Sequence, residues 1–309
     1  MTAMACGDYS SFGSTNQPIP QEARWGIYSL DINTDKVDLI YSSENEIINM
    51  QFNPSTNKIA FSQKVEGVTD EASEIYTIDE NGRYLQRLTD NDFMDTYPIW
   101  SPDGSQIAYL AWPNATLDIN IMDADGSRSK KFYDSGSHDA DIDWENNMIA
   151  FTSNSRVWVI HADGSEMRQL TDPPRAGEWG KANLPFGDYD PRISPDGKKI
   201  VFERLIGDTS PHGNYDLFLI NIDGTHLEAI TDNGITQGLA SWSPSGDKIA
   251  YIISAKGDVG MYDLFLINID GTNNRNITPT NFPNEFLVKW VSFSGEENLI
   301  YFIGEWFSE

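Results

Sequence analysis

Six copies of one short pattern constrain this chain more than any other feature. An aromatic residue or isoleucine enters a turn at Phe52-Asn-Pro54, Trp100-Ser-Pro-Asp-Gly104, Trp144-Glu-Asn-Asn147, Ile193-Ser-Pro-Asp-Gly197, Trp242-Ser-Pro-Ser-Gly246 and Phe293-Ser-Gly295. With the residue after each anchor taken as equivalent, the copies lie 48, 44, 49, 49 and 51 residues apart. A repeat of this length is the signature of solenoids and propellers, in which each unit buries its faces only against its neighbours.

The chemistry inside each copy describes one four-stranded unit. Ser-Pro-Asp-Gly suits a type I turn, with Pro fixing φ at its second position and Gly closing it. A short apolar strand follows each time, as in Gln106-Ile-Ala-Tyr109 and Lys248-Ile-Ala-Tyr251, with almost no polar alternation. That pattern fits a strand covered on both faces. A third strand ends in an Asx-Gly hairpin turn, as in Leu217-Phe-Leu-Ile-Asn-Ile-Asp-Gly224. A fourth reads Gln169-Leu-Thr-Asp172 or Ala229-Ile-Thr-Asp232.

These units predict an all-β, six-bladed β-propeller with four antiparallel strands per blade. Five blades run over about 50–90, 97–134, 141–172, 190–232 and 240–280. The sixth has only an inner pair near 288–304, whereas residues 26–43 supply an orphan third and fourth strand. Strands from both chain ends are therefore expected to close the last blade and remove its exposed edge. The expected organisation is a flexible leader over 1–25 and a propeller over 26–306, and a monomer is expected.

Composition narrows the partners. The 47 acidic residues against 21 basic ones give a formal charge of −26, which repels nucleic acid and anionic membranes. No apolar run approaches the length of a transmembrane helix. Cys6 is the only cysteine, so no intrachain disulfide can form. Its setting, Met1-Thr-Ala-Met-Ala-Cys6-Gly-Asp, is similar to the anchor cysteine of a bacterial lipoprotein, making Cys6 the candidate lipid anchor.

Trp-Ser-Pro-Asp-Gly-x-x-Ile-Ala-Tyr, then Leu-Phe-Leu-Ile-Asn-Ile-Asp-Gly, then Leu-Thr-Asp, resembles the repeat of TolB-like propellers over about residues 26–306. With blades beginning by about residue 26, the extra domain that precedes the propeller in TolB itself is not expected here. The resemblance implies the fold and a bacterial envelope location, periplasmic or lipid-anchored. It leaves function open, because the same blades serve periplasmic TolB, prolyl oligopeptidase relatives and pectin-fragment lyases.

Tight turns crowd one face of such a ring, while the longer segments 63–73, 173–189, 205–214 and 254–262 share the other. Recognition is expected on the long-loop face. There Trp179, Phe186 and Tyr189 offer aromatic planes to a peptide or oligosaccharide. Residues at the start of the inner strands are expected to ring the channel mouth: Asp95, His138, Asp139, Asp141, Asp188, Asp190, Gln237 and Glu285, with His212 nearby. Asp139, Asp141 and Asp190 are the candidate ligands for Ca²⁺ or another divalent cation, or for a partner's Lys or Arg. No other cofactor is expected.

No Gly-x-Ser-x-Gly elbow, phosphate loop or zinc-helix motif occurs, and no catalytic residue is assigned. The expected function is noncatalytic binding of a protein or small ligand. The alternative is a metal-assisted propeller lyase acting on acidic oligosaccharides, for which Arg175, Lys181 and Arg192 would be a sparse basic counterweight.

Overall fold

The computed structural model describes residues 19–66, 72–208, 213–232, 234, 236–254, 262–283 and 285–307. All regular elements among them are strands, and no helix is long and apolar enough to cross a membrane. Blade 6 opens the chain with β1 (Trp25–Asp31) and β2 (Lys36–Ser43). Blade 1 contains β3 (Ile47–Asn53), β4 (Lys58–Lys64), β5 (Ser73–Asp79) and β6 (Gln86–Arg87). Blade 2 contains β7 (Met94–Trp100), β8 (Gln106–Trp112), β9 (Asp118–Asp123) and β10 (Lys130–Tyr133). Blade 3 follows with β11 (Asp139–Glu145), β12 (Met148–Ser153), β13 (Arg156–His161) and β14 (Arg168–Gln169).

Blade 4 is β15 (Asp188–Ile193), β16 (Lys199–Gly207), β17 (Asn214–Asn221) and β18 (Glu228–Ala229). Blade 5 is β19 (Gln237–Trp242), β20 (Lys248–Ser254), β21 (Tyr262–Asn268) and β22 (Arg275–Asn276). β23 (Phe286–Phe293) and β24 (Leu299–Trp306) then return to blade 6, whose strand order is β2-β1-β24-β23. The inner strands touch in the circular order β3, β7, β11, β15, β19, β23 and back to β3, so the ring is closed.

Local chemistry explains the regularity. In the first-to-second-strand turns, the amides of Gly104, Gly197 and Gly246 donate to Ser101, Ser194 and Ser243 carbonyls at 2.8, 2.7 and 2.9 Å. These glycines have φ near +70°, a conformation that disfavours a side chain. The threonines of the fourth strands do more than end the blade. Ile75, Val157, Leu217 and Leu264 donate their amides to the hydroxyls of Thr89, Thr171, Thr231 and Thr278 at 2.8–3.0 Å. Each threonine thus extends a two-residue strand ladder by one side-chain rung.

The second strands lie wholly inside, as their unbroken apolar runs require. Ile59-Ala-Phe61, Ile149-Ala-Phe151 and Ile249-Ala-Tyr251 are all fully buried between blades. At the seam, β1 pairs antiparallel with β24, placing Tyr28 opposite Phe302. Their rings stack at 5.3 Å, Phe286 meets Tyr28 edge-on at 5.3 Å, and Trp306 Nε1 donates to the Tyr28 hydroxyl at 2.9 Å. The junction of blades 1 and 2 differs from the others: a parallel bridge between Ser73 and Met94 merges them into one sheet.

Candidate binding site in the central channel

Every inner strand carries a register shift: Ile47/Asn49, Thr96/Ile99, Ala140/Asp143, Tyr189/Arg192, Gly238/Ser241 and Val288/Trp290. In four blades the shifted residue has a left-handed backbone, at Tyr97, Asp141, Asp190 and Leu239. Bulges of this kind re-aim one side chain away from the ordinary strand alternation. These four residues lie three before their anchors, a repeat position held in the other two blades by Asn49 and Trp290, which stay paired while Ile48 and Lys289 drop out of register.

Blades 2, 4 and 6 close the channel through these residues. The Tyr97 hydroxyl donates to Asp190 Oδ1, and the Tyr97 ring lies edge-on to Trp290 at 5.2 Å. Arg192 Nη2 donates to Asp190 Oδ1 at 2.6 Å and to the Tyr97 oxygen at 2.7 Å, with its guanidinium 5.3 and 5.7 Å from the Tyr97 and Trp290 ring centres. Nη1 donates to the Ile142 and Pro191 carbonyls. Asp141 accepts the Asp190 amide at 3.4 Å, and half-buried Glu203 accepts the Leu239 amide at 2.6 Å.

The plug is rich in carboxylates. Burial pushes Asp141 up to about 6, helped by the charge of Asp190, and burial pushes Asp143 up to about 6 against the pull of Arg192. Burial and the same acidic neighbours raise Glu203. Burial opposes the charge on Arg192, but Asp190, Tyr97 and Asp143 together outweigh it and hold the guanidinium firmly protonated.

On the tight-turn side of the plug lies a funnel of about 410 Å³ that ends on Arg192 and Trp290. Phe52, Trp100, Trp144, Trp242 and Phe293 wall it, Pro54, Pro102, Pro195 and Pro244 form its rim, and Asp143 and Glu145 bring negative charge. Burial, with the charge of Asp143, pushes Glu145 up to about 7. Side chains in the wall bind the next blade's backbone. Gln51 accepts the Trp100 amide, Asp143 that of Ile193, Ser241 that of Phe293 and Ser292 that of Phe52, at 2.7–3.4 Å. These bonds hold the mouth in shape.

The structure corrects the expected channel-mouth ring. Asp95, Asp139, Asp188 and Gln237 begin their inner strands, but all four are buried in seams between blades. Asp188 forms a bidentate pair with Arg204 at 2.6 and 2.8 Å. Gln237 donates to Asp216, Asp139 accepts the Ser135 amide, and Asp95 accepts from Asn91. The bulge comes two residues later, so the channel position belongs to Tyr97, Asp141, Asp190 and Leu239.

Of the proposed metal ligands, Asp141 and Asp190 come together while Asp139 stays in its seam. Among the described residues no three His, Cys, Asp or Glu side chains form a group that could hold a metal ion. His138 is exposed, accepts the Leu117 amide at 3.2 Å and lies edge-on to Trp112. Of the loop aromatics, Trp179 is 70% exposed, whereas Phe186 and Tyr189 are buried. Arg175 covers the Phe186 ring at 3.7 Å, and the Tyr189 hydroxyl donates to the Pro185 carbonyl at 2.6 Å. The loop thus folds onto its own blade and offers a partner one ring instead of three. His212 and Cys6 lie outside the described residues.

Residues 21–176, half of the chain, match the model of the TolB beta propeller domain. The chain belongs to the TolB beta-propeller family. The uncharacterized protein Atu1656 of Agrobacterium fabrum is 29% identical over 192 residues, covering 58% of this chain and 61% of that protein. A Protein TolB homolog of Chlorobium luteolum is 27% identical over 154 residues, covering 48% of this propeller and 31% of the homolog. The matches therefore span less than two thirds of either relative.

Among solved structures, a TolB-like protein of Agrobacterium tumefaciens superposes with a TM-score of 0.68 at 17% identity, covering 93% of this chain and 99% of that one. TolB from Acinetobacter baumannii gives 0.62 at 18%, covering 82% and 62%. An oligogalacturonate lyase in complex with manganese gives 0.55 at 11%, covering 92% and 83%. At these identities the likeness to all three is one of fold.

Proposed function

We propose that this TolB-family propeller is a noncatalytic recognition module of the bacterial envelope, and that its partner presents a basic segment to the funnel on the tight-turn face. One observation carries the reading: a preformed aromatic funnel that pairs the carboxylates Asp143 and Glu145 with a floor arginine already engaged by Asp190. A carboxylate guest would find that cation occupied. A Lys or Arg guest meets two carboxylates and the faces of Trp and Phe, both of which favour cations in a partly dry site.

The volume also suits one or two side chains of a peptide, within the few hundred Å³ typical of ligand pockets. On this reading recognition falls on the tight-turn face, in place of the long-loop face expected from the sequence. Membership of the TolB family supports the envelope location.

The test is calorimetric titration with a short Ala-based peptide carrying two central lysines, against the same peptide carrying glutamates. The basic peptide is expected to bind, more weakly as salt rises. Asp143→Asn with Glu145→Gln is expected to lower its affinity by about tenfold or more, the scale of one lost charged contact. Equal binding of the acidic peptide, or none of either, would defeat the reading.

A further inference from the structure

The rim of the funnel is interrupted at one blade. In five blades the turn between first and second strands has four or five residues, over 54–57, 101–105, 194–198, 243–247 and 294–298, whereas blade 3 turns in two, Asn146 and Asn147. A left-handed backbone at Asn146, φ 52°, lets so short a hairpin close. The other five blades each lend the funnel a turn residue, Pro54, Pro102, Pro195, Pro244 and Gly295, but blade 3 lends nothing beyond Glu145 at the end of its strand. The cup therefore has a notch above blade 3.

Charge marks the same blade. At the position before the anchor, Asp143 stands where the other blades have Gln51, Ile99, Arg192, Ser241 and Ser292. At the position after it, Glu145 stands where they have Asn or Ser. Beyond the notch, in the turn between third and fourth strands, the left-handed residue is Tyr84, Arg128, His226 or Asn273 in blades 1, 2, 4 and 5, and Glu166 in blade 3. Among blades 1 to 5, all three positions are acidic in blade 3 alone.

The surroundings leave that charge in place. Glu166 is 77% exposed, with His161 Nε2 3.6 Å away. Asp163 in the same turn accepts from the Ser165 hydroxyl at 2.6 Å and its amide at 2.9 Å, which hold its carboxyl below the usual range. Of the flanking turns, that of blade 2 adds Asp103, and that of blade 4 adds Asp196 and Lys198, which pair at 3.2 Å. Arg168 of the fourth strand donates to the Ile222 carbonyl of blade 4.

Resting on the reading of the funnel as a cation site, we infer that the partner is an extended segment with two basic residues about four positions apart. One enters the funnel, and the chain leaves through the notch and crosses blade 3, so that the second reaches Asp163 and Glu166. Strand spacing sets the separation: from β11 to the turn joining β13 and β14 is about 10–14 Å, and four extended residues span about 13 Å. The chain cannot thread the channel, because Tyr97, Asp190, Arg192 and Trp290 close the floor. It must leave over the rim, and the blade 3 side combines the shortest turn with the potential that favours a cation.

The experiment is an NMR titration of the isotope-labelled protein with two isomeric peptides, acetylated and amidated, Lys-Ala-Ala-Ala-Lys and Ala-Lys-Lys-Ala-Ala. The propeller supplies its own controls. The amides of Glu80, Ala124, Ala162, Ile222 and Ile269 hold one position in blades 1 to 5, each donating to a carbonyl of its blade's first turn. Both peptides are expected to shift the funnel amides of Trp100 and Phe293. Only the spaced isomer is expected to shift Ala162 and Ser165, with the four equivalents of Ala162 unmoved, and to bind about threefold more tightly, the scale of one exposed ion pair. Asp163→Asn with Glu166→Gln is expected to erase that preference while leaving the adjacent isomer's affinity unchanged. Funnel shifts with Ala162 unmoved, or with another blade's equivalent shifted in its place, would overturn the inference and leave the funnel reading standing. Absence of funnel shifts with both peptides would defeat the two together. A folded double variant that keeps the threefold preference would overturn the inference alone.

Discussion

Arg192 of blade 4 donates to the hydroxyl of Tyr97 of blade 2 at 2.7 Å, 95 residues earlier in the chain, with its guanidinium 5.3 Å from the ring centre. The contact crosses the ring, and with Asp190 and Trp290 it stops the channel at the funnel floor.

Removing the guanidinium should therefore damage stability far more than its single position suggests. Arg192→Leu leaves Asp190 buried opposite no cation, a situation that costs about 3–5 kcal/mol. Urea denaturation is expected to show that loss, and the double variant Asp190→Asn, Arg192→Leu should recover a large part of it. Equal loss in the single and double variants would show that the pair is not coupled.

The pH profile follows from the raised carboxyls. Asp141 and Asp143 stand at about 6 and Asp95 and Glu145 at about 7 in the folded protein. The folded state thus binds more protons than the unfolded chain between the ordinary carboxyl range and these values. Stability must fall as pH rises across that window, from about 4 to about 7. The exposed turn aspartates Asp103, Asp125 and Asp163, whose values their Ser partners lower, act oppositely below that window. Melting temperature is expected to peak at the lower edge of that window, near about pH 4, and Asp141→Asn should flatten the decline toward neutrality.

Binding of a basic peptide should have the reverse dependence. A cation needs Asp143 and Glu145 ionised, so affinity is expected to drop as pH falls from about 7 to below 6, with proton release on binding near pH 6.5. Calorimetry in two buffers of different ionisation enthalpy would read that release directly.

The blades were legible in the sequence because their turns are written in side chains that cannot be exchanged freely. Ser-Pro-Asp-Gly and Asp-Gly fix backbone geometry, and the Ile-Ala-Phe runs reveal strands covered twice. The channel was less legible. Acidic residues at the strand starts look like a pore ring, yet the bulge shifts the inward position to three residues before each anchor, where Tyr97, Asp190 and Trp290 share no chemical type. Reading the six copies in register at that position was the available signal.

Thr231 tests the blade architecture at a single atom. Its hydroxyl accepts the Leu217 amide at 2.9 Å and lies 3.3 Å from Asp216. Thr231→Val keeps the shape and removes the acceptor, so it should cost about 1–3 kcal/mol. Amide exchange at Leu217 should accelerate selectively. Unchanged protection there would show the rung to be dispensable.

The closing seam makes a stronger demand. Removing residues through Ser43 deletes β1 and β2 and bares the edge of β24 together with Phe302. Such an edge templates association, so light scattering is expected to show aggregates, and a monomer with unchanged melting would contradict the role given to Tyr28.

The most direct measurement is hydrogen exchange of the whole protein with and without the two-lysine peptide. Slowed exchange is expected at the funnel-wall amides of Phe52, Trp100, Ile193 and Phe293, with the 173–189 segment unchanged. Protection around Trp179 with an unaffected funnel would contradict the proposal that the tight-turn face is the recognition face.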